Sequence, residues 1–164
     1  GSVGISGMQS HYFEHFMEGL CDAQGVKLSD CFANSFCLSA DVSNAFDPNW
    51  PETCDKRNNS QLNYGVAICK YTGSRGKGGA SDASAEAMGH VRSTLDKAGV
   101  IWQIATLGKV DQGGGGTVAA YMANRNIVTV DAGVPVLSMH APLELVSKLD
   151  CYETMLACKA IYLA

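Results

Sequence analysis

The chain has 164 residues, enough to bury a core in one domain, and its 46% hydrophobic and 17% charged residues place it among globular rather than disordered sequences. A net charge of −4 with no basic stripe argues against a nucleic-acid partner, because phosphate binding needs clustered Lys and Arg. No apolar run reaches the roughly eighteen residues of a membrane helix, and the opening GSVGISGMQS lacks the basic end and apolar stretch of a secretory signal, so no membrane partner is expected.

Residues 9–21 set Tyr12, Phe13, Phe16, Met17 and Leu20 at helical spacing, with Glu14 and Glu18 opposite. This predicts an amphipathic helix packed on a core. Residues 36–40 (FCLSA) are a short buried-strand pattern running directly into Asp41. Residues 44–64 are polar and broken by Asp47-Pro48-Asn49 and Trp50-Pro51, which predicts a long irregular loop of the kind that is usually functional. Residues 66–70 read as a strand. Residues 73–79 form a basic, Gly-rich loop, after which Ser81 or Asp82 is placed to cap a helix reaching about Ala98.

A strand over residues 100–106 leads to Gly113, Gly114, Gly115 and Gly116, and a short helix is predicted over 118–124. Residues 127–130 and 134–138 are apolar strand segments separated by Gly133. A final helix over about 142–160 repeats Leu145, Leu149, Tyr152 and Leu156 as one buried stripe. Strands alternate with helices, which favours an α/β sheet covered on both faces. No internal repeat or domain boundary is visible, so residues 1–164 read as one unit. The seven cysteines are odd in number and contain no CxxC pair. They signal neither a disulfide framework nor a structural zinc site, and read as reduced thiols of a cytoplasmic protein.

Ligands of open α/β sheets bind at the carboxyl ends of strands. Two polar residues stand there: Asp41 after FCLSA and His140 after PVLSM. A carboxylate and an imidazole on one edge suit Zn²⁺, although a lone Asp after a strand is more often a turn or cap, and a lone His more often a hydrogen-bonded core group. The quadruple glycine is either a flexible linker or a loop whose backbone approaches a ligand. Because it precedes a helix, its N–H groups could meet an anion or a carbonyl oxygen. The 73–79 loop, with Arg75 and Lys77, is the alternative site, which would make the chain a phosphate- or nucleotide-binding module. His11 and His15, at i and i+4, and His90 read as surface groups.

Two segments carry a resemblance to a known family. SADVSNAFDPNW (residues 39–50) resembles the S-x-D-x-x-x-A-x-x-P-N-[YW] segment of the aspartyl aminopeptidase and aminopeptidase I family, and TVDAGVPVLSMHAP (129–142) looks like its TVD-x-G-x-P-x-LSMH segment. GSVGISGMQSHYFE is similar to the stretch just after that family's Glu-Glu-x-Gly-Ser motif. The resemblance implies a three-layer α/β/α sandwich with a mixed, largely parallel sheet of the phosphorylase/peptidase-like kind, incomplete in this chain. It further implies a metalloaminopeptidase acting on peptide amino termini through two divalent metals, zinc by preference and cobalt or manganese as alternatives.

On that resemblance Asp41 is the carboxylate ligand of one metal and His140 an imidazole ligand of the same or the neighbouring metal. Gly113 and Gly114 belong to a substrate-contacting loop, and Met139 lines the pocket for the substrate's first side chain. Asn44 and Asp47 stand where many members carry His, which fits a bacterial branch whose preference for acidic residues is not assumed. The general base (the first paired glutamate), three further ligands and a dimerisation domain are expected before Gly1. The chain is therefore expected to be inactive alone, and the full-length protein to be a homo-oligomer as large as a dodecamer.

Overall fold

The computed structural model describes residues 3–73, 78–109 and 111–164. In chain order its elements are α1 (Tyr12–Gln24), α2 (Leu28–Ala33), β1 (Phe36–Ser39), β2 (Ser43–Asn44), a 3-10 turn (Pro51–Thr53), β3 (Val66–Cys69), α3 (Ala85–Ala98), β4 (Trp102–Ala105), α4 (Ala119–Ala123), β5 (Val128–Gly133), β6 (Pro135–Leu137), β7 (Leu145–Val146) and α5 (Lys148–Tyr162). The fold is α/β, as expected. Its main sheet has the order β1-β5-β3-β4. The pairs β1/β5 and β3/β4 are parallel, and β5/β3 joins them antiparallel. A second sheet, β2-β6-β7, continues from the interior strand β5, which passes through Val134 directly into β6.

The strand alternation divides the main sheet into two unlike faces. On one, Val66 and Ile68 of β3 and Val130 and Ala132 of β5 meet Ala87, Met88, Val91 and Leu95 of α3 and Ala157 of α5. Each large aliphatic side chain buried there stabilises the fold by about 1.5–3 kcal/mol. On the other face the residues are small: Ala67, Cys69 and Ala105 form a separate cluster. Strand β3 is buried on both sides, which is why VAIC is apolar throughout rather than alternating.

Three expectations are corrected. Helix α3 starts later than predicted, capped by Ser84, whose Oγ accepts from the Ala87 N–H at 3.1 Å. Ser81 is buried, and Asp82 pairs with Lys70. Helix α1 does not bury its whole apolar stripe. Tyr12, Phe16 and Leu20 are exposed, Phe13 and Met17 are half-buried, and only Cys21 is fully buried. The reason is that α1 leans on the short α2, with Phe13 stacked on Phe32 at 5.8 Å, so only one narrow face finds a partner.

The largest correction concerns the final helix. Residues 145–146 are strand β7, paired with β6, and the helix begins only at Lys148 after the Ser147 cap. Leu145, Leu149 and Tyr152 are exposed, and Leu156 is only partly buried. The inward face carries Asp150 and Ala157 instead, at 0% and 1% exposure. Asp150 is buried because its carboxylate accepts the backbone N–H groups of Asn63 and Gly65, each at 2.8 Å. Short residues suit this face because α5 lies close against α3 and β3.

Candidate metal and substrate site

Asp41 is held by the junction of the two sheets. Its N–H donates to the Ser39 carbonyl at 3.1 Å, and its Oδ1 accepts the Val42 N–H at 2.7 Å. Two residues on, the Ser43 N–H donates to the Val134 carbonyl at 2.9 Å, which docks the chain beside β6. Gly133 makes this course possible: a Cβ there would lie 1.2 Å from the Asp41 carbonyl oxygen. The carboxylate itself is exposed.

His140 is reached from β6 through a strained turn. Ser138 and His140 both adopt left-handed backbone, with φ of 60° and 68°. Such a conformation costs a non-glycine residue of order 1–3 kcal/mol and persists only where the surroundings enforce it, which is characteristic of sites that aim a side chain. The Glu144 carboxylate accepts the His140 backbone N–H and fixes the turn from the other side. The imidazole is exposed, and Met139 beside it is half-buried.

Asp41 and His140 open onto one cavity of about 300 Å³, with Met139, Asn44 and Thr53 on its walls and residues 113–116 along one side. The structure thus brings Asp41, His140, Gly113, Gly114 and Met139 together. An oxygen and a nitrogen donor at one cavity mouth match the donor preferences of zinc. They are two donors where a catalytic zinc takes three protein ligands, and no group of three or more His, Cys, Asp or Glu able to hold a metal occurs among the described residues. This chain's residues therefore fit part of a zinc site. Asn44 Nδ2 donates to Cys54 Sγ at 3.4 Å, and Asp47 Oδ1 accepts the Asn49 N–H at 2.8 Å in a local turn.

The glycine loop is not a loose linker. Gly114 has φ of 99°, and a Cβ on it would sit 2.1 Å from the Gly73 carbonyl oxygen. A Cβ on Gly116 would sit 3.2 Å from the Gly79 carbonyl oxygen. The two glycine-rich loops therefore pack backbone to backbone. Residues 74–77, which carry Arg75 and Lys77 of the alternative phosphate site, lie outside the described residues. Helix α4 is only five residues long, and Thr117 two residues before it accepts the Ala119 N–H on its Oγ1 at 3.2 Å, so the helix offers no anion site of its own. His11 is exposed against Glu14, His15 is exposed, and His90 lies edge-on to Phe36, in keeping with surface roles.

Sequence reasoning missed Asp131. It is 6% exposed, in β5 opposite Ser39 and Cys69. Thr117 Oγ1 donates to its two oxygens at 2.9 and 3.0 Å, and Thr72 Oγ1 reaches Oδ2 at 3.3 Å. Burial pushes its carboxyl above the usual carboxylate range, the surrounding hydroxyls pull the other way, and the nearby Asp41 charge adds to the rise. The available signal was an Asp inside IVTVDAGV, since a charge inside an apolar strand must find partners.

Comparison with known proteins matches residues 1–162 to the family described as aminopeptidase I zinc metalloprotease (M18). A probable M18 family aminopeptidase 1 of Clostridium acetobutylicum is 50% identical over 158 residues, covering 94% of this chain and 34% of that protein. The crystal structure of an M18 family aminopeptidase from Thermotoga maritima superposes with a TM-score of 0.93 at 42% identity, over 98% of this chain and 37% of that one. The S. cerevisiae mApe1 dodecamer shares the fold, with a TM-score of 0.80 at 22% identity, over 98% of this chain and 35% of that one. The chain thus spans about a third of the length of the relatives it matches.

Proposed function

This chain belongs to the aminopeptidase I zinc metalloprotease (M18) family, and from that premise we propose that it is the carboxy-terminal part of the catalytic domain of a two-metal aminopeptidase. Asp41 supplies a carboxylate ligand and His140 an imidazole ligand. The observation that carries this reading is the shared cavity: two residues 99 positions apart in the chain meet at one mouth, beside Met139 and the 113–116 loop. Zinc in such a site supplies Lewis-acid chemistry, acidifying a water and polarising a scissile carbonyl.

The chain's own residues bind and orient. Residues 113–116 present main chain that can run alongside a peptide, since no side chain stands in the way. Met139 forms an apolar, adaptable wall suited to the first substrate side chain. Asn44 and Thr53 add neutral polar groups to the wall. Asp41 and His140 are fewer than the three protein ligands of a catalytic zinc, and no third joins them among the described residues, so this chain alone turns over no peptide. The complete protein is a homo-oligomer, a reading supported by the fold shared with the mApe1 dodecamer.

The test uses the long polypeptide that includes these residues. Asp41→Ala and His140→Ala should each lower zinc content by elemental analysis and abolish chelator-sensitive release of amino-terminal residues. Sedimentation of the same material reads the oligomer. Robust, chelator-sensitive turnover by the 164-residue chain alone would sink the division of labour.

A further inference from the structure

The strongest unassigned feature is the buried carboxylate of Asp131 and what hangs from it. Thr117, its closest partner, ends the 113–116 glycine loop, and Thr72, its second, opens the 73–79 loop. The Thr117 oxygen also accepts the Ala119 N–H at 3.2 Å, which leaves the hydroxyl proton to point at the carboxylate. Hydrogen bonds to an ionised acceptor are the strong ones, and here two loops draw on one acceptor. The loops also touch each other through Gly114 on Gly73 and Gly116 on Gly79, with no side chain between them. Asp131 is fixed in turn by its place in β5, paired on one side with β1 at Ser39 and on the other with β3 at Cys69. Two residues further along the same strand, Gly133 bears directly on the Asp41 main chain.

One rigid strand therefore sets both the position of Asp41 and the position of the glycine wall across the cavity. We propose that Asp131 is a positioning residue for peptide substrate: through Thr117 and Thr72 it holds the 113–116 main chain at a fixed distance from the Asp41–His140 mouth. The inference rests on the cavity being the peptide site. Its sequence logic is that hydroxyls at 72 and 117 are needed, whereas side chains at 114 and 116 are excluded. Asp131 touches neither substrate nor reacting atoms. Its loss should weaken the binding of substrate main chain and leave the chemical step largely intact.

The experiment uses the long polypeptide with its metals bound, comparing wild type, Asp131→Asn, Thr117→Val and Thr117→Ser. Asp131→Asn and Thr117→Val should each raise KM for a dipeptide substrate by about tenfold with little change in kcat, the pattern of lost ground-state positioning. Zinc content should stay at the wild-type level. Amide hydrogen exchange over residues 113–117 should speed up by about tenfold in both variants, while exchange in α3 is unchanged. Thr117→Ser keeps the hydroxyl and should behave as wild type. If Asp131→Asn fails to fold, Thr117→Val carries the same test from the loop side. Unchanged KM together with unchanged exchange at 113–117 overturns the proposal, and so does a loss of zinc that accounts for the loss of activity. If wild type itself neither holds zinc nor cleaves peptides, the function reading fails, while the exchange data still judge whether Asp131 holds the loop.

Discussion

Replacing Gly133 by alanine would place a Cβ 1.2 Å from the carbonyl oxygen of Asp41, 2.4 Å from its carbonyl carbon and 3.2 Å from its nitrogen. Carbon and oxygen approach in folded proteins to about 3.3 Å, so the Asp41 main chain would have to retreat by about 2 Å. No flexible side chain can give way. The obstacle is backbone, tied to β6 by the Ser43 N–H to Val134 carbonyl bond at 2.9 Å. Overpacking a rigid site costs about 1–3 kcal/mol, and this contact belongs at the upper end, about 3 kcal/mol. With a urea dependence of about 2 kcal/mol per molar, the unfolding midpoint should fall by about 1.5 M. The functional loss should be larger than the stability loss, because metal–ligand distances tolerate only about 0.2 Å. Zinc affinity of the complete protein, measured by competition with a chromophoric chelator, should drop by at least about tenfold. A Gly133→Ala protein with the wild-type midpoint and wild-type zinc affinity would refute the placement of Asp41 against β5.

The contrasting substitution is Gly89→Ala, in the middle of α3 with nothing within 4 Å of the added methyl. It should raise stability by about 0.5–1 kcal/mol in the same urea titration, since glycine is costly inside a helix. Asp150→Asn presents an NH₂ where one carboxylate oxygen stood, leaving the Asn63 or Gly65 N–H facing a donor. It should destabilise by about 1.5–3 kcal/mol, and a midpoint unchanged within error would show that α5 does not clamp the 63–65 turn. Burial pushes the Cys69 thiol up to about 11. At pH 8 only about one part in a thousand is thiolate, so iodoacetamide footprinting by mass spectrometry should modify exposed Cys151 first and Cys69 last.

The candidate ligands were legible because each sits at the end of a short apolar run inside a motif with its own punctuation: SADV with DPNW, and LSMHAP. The motif resemblance pointed to them, and the structure sets both on one cavity with the glycine loop and Met139. Asp131 was not legible as part of the site. Its partners Thr72 and Thr117 lie 59 and 14 residues away, and only the β1-β5-β3 pairing brings the three together. The last helix misled for a different reason. Leu145, Leu149, Tyr152 and Leu156 keep helical spacing across a boundary that spacing cannot see, where β7 ends and Ser147 caps α5. Hydrophobic period reports which residues could share a face, not which face meets the core. Here a polar contact decided it, as Asp150 turned inward to bind backbone N–H groups.

The two faces of the main sheet follow from one difference in what each must accommodate. Toward α3 and α5 it meets side chains, so it carries Val66, Ile68 and Val130 and gains from their burial. Toward the cavity it meets main chain: the Asp41 carbonyl lies on Gly133, and the loops at 73 and 114 touch without side chains. Large residues there would separate the very segments that have to converge, which explains Ala67, Cys69 and Ala105 on that side. Such a face gains little from hydrophobic burial, and hydrogen bonds from Thr72 and Thr117 to one carboxylate take over the task of cohesion. The strained backbone at Ser138 and His140 is tolerable on the same terms, since the β6–β7 pairing and the Glu144 carboxylate fix the turn from both ends. Geometry set in this way by main-chain contact is stiff, so small substitutions at Gly133 or Thr117 should disturb the site more than larger ones on the exposed face of α1.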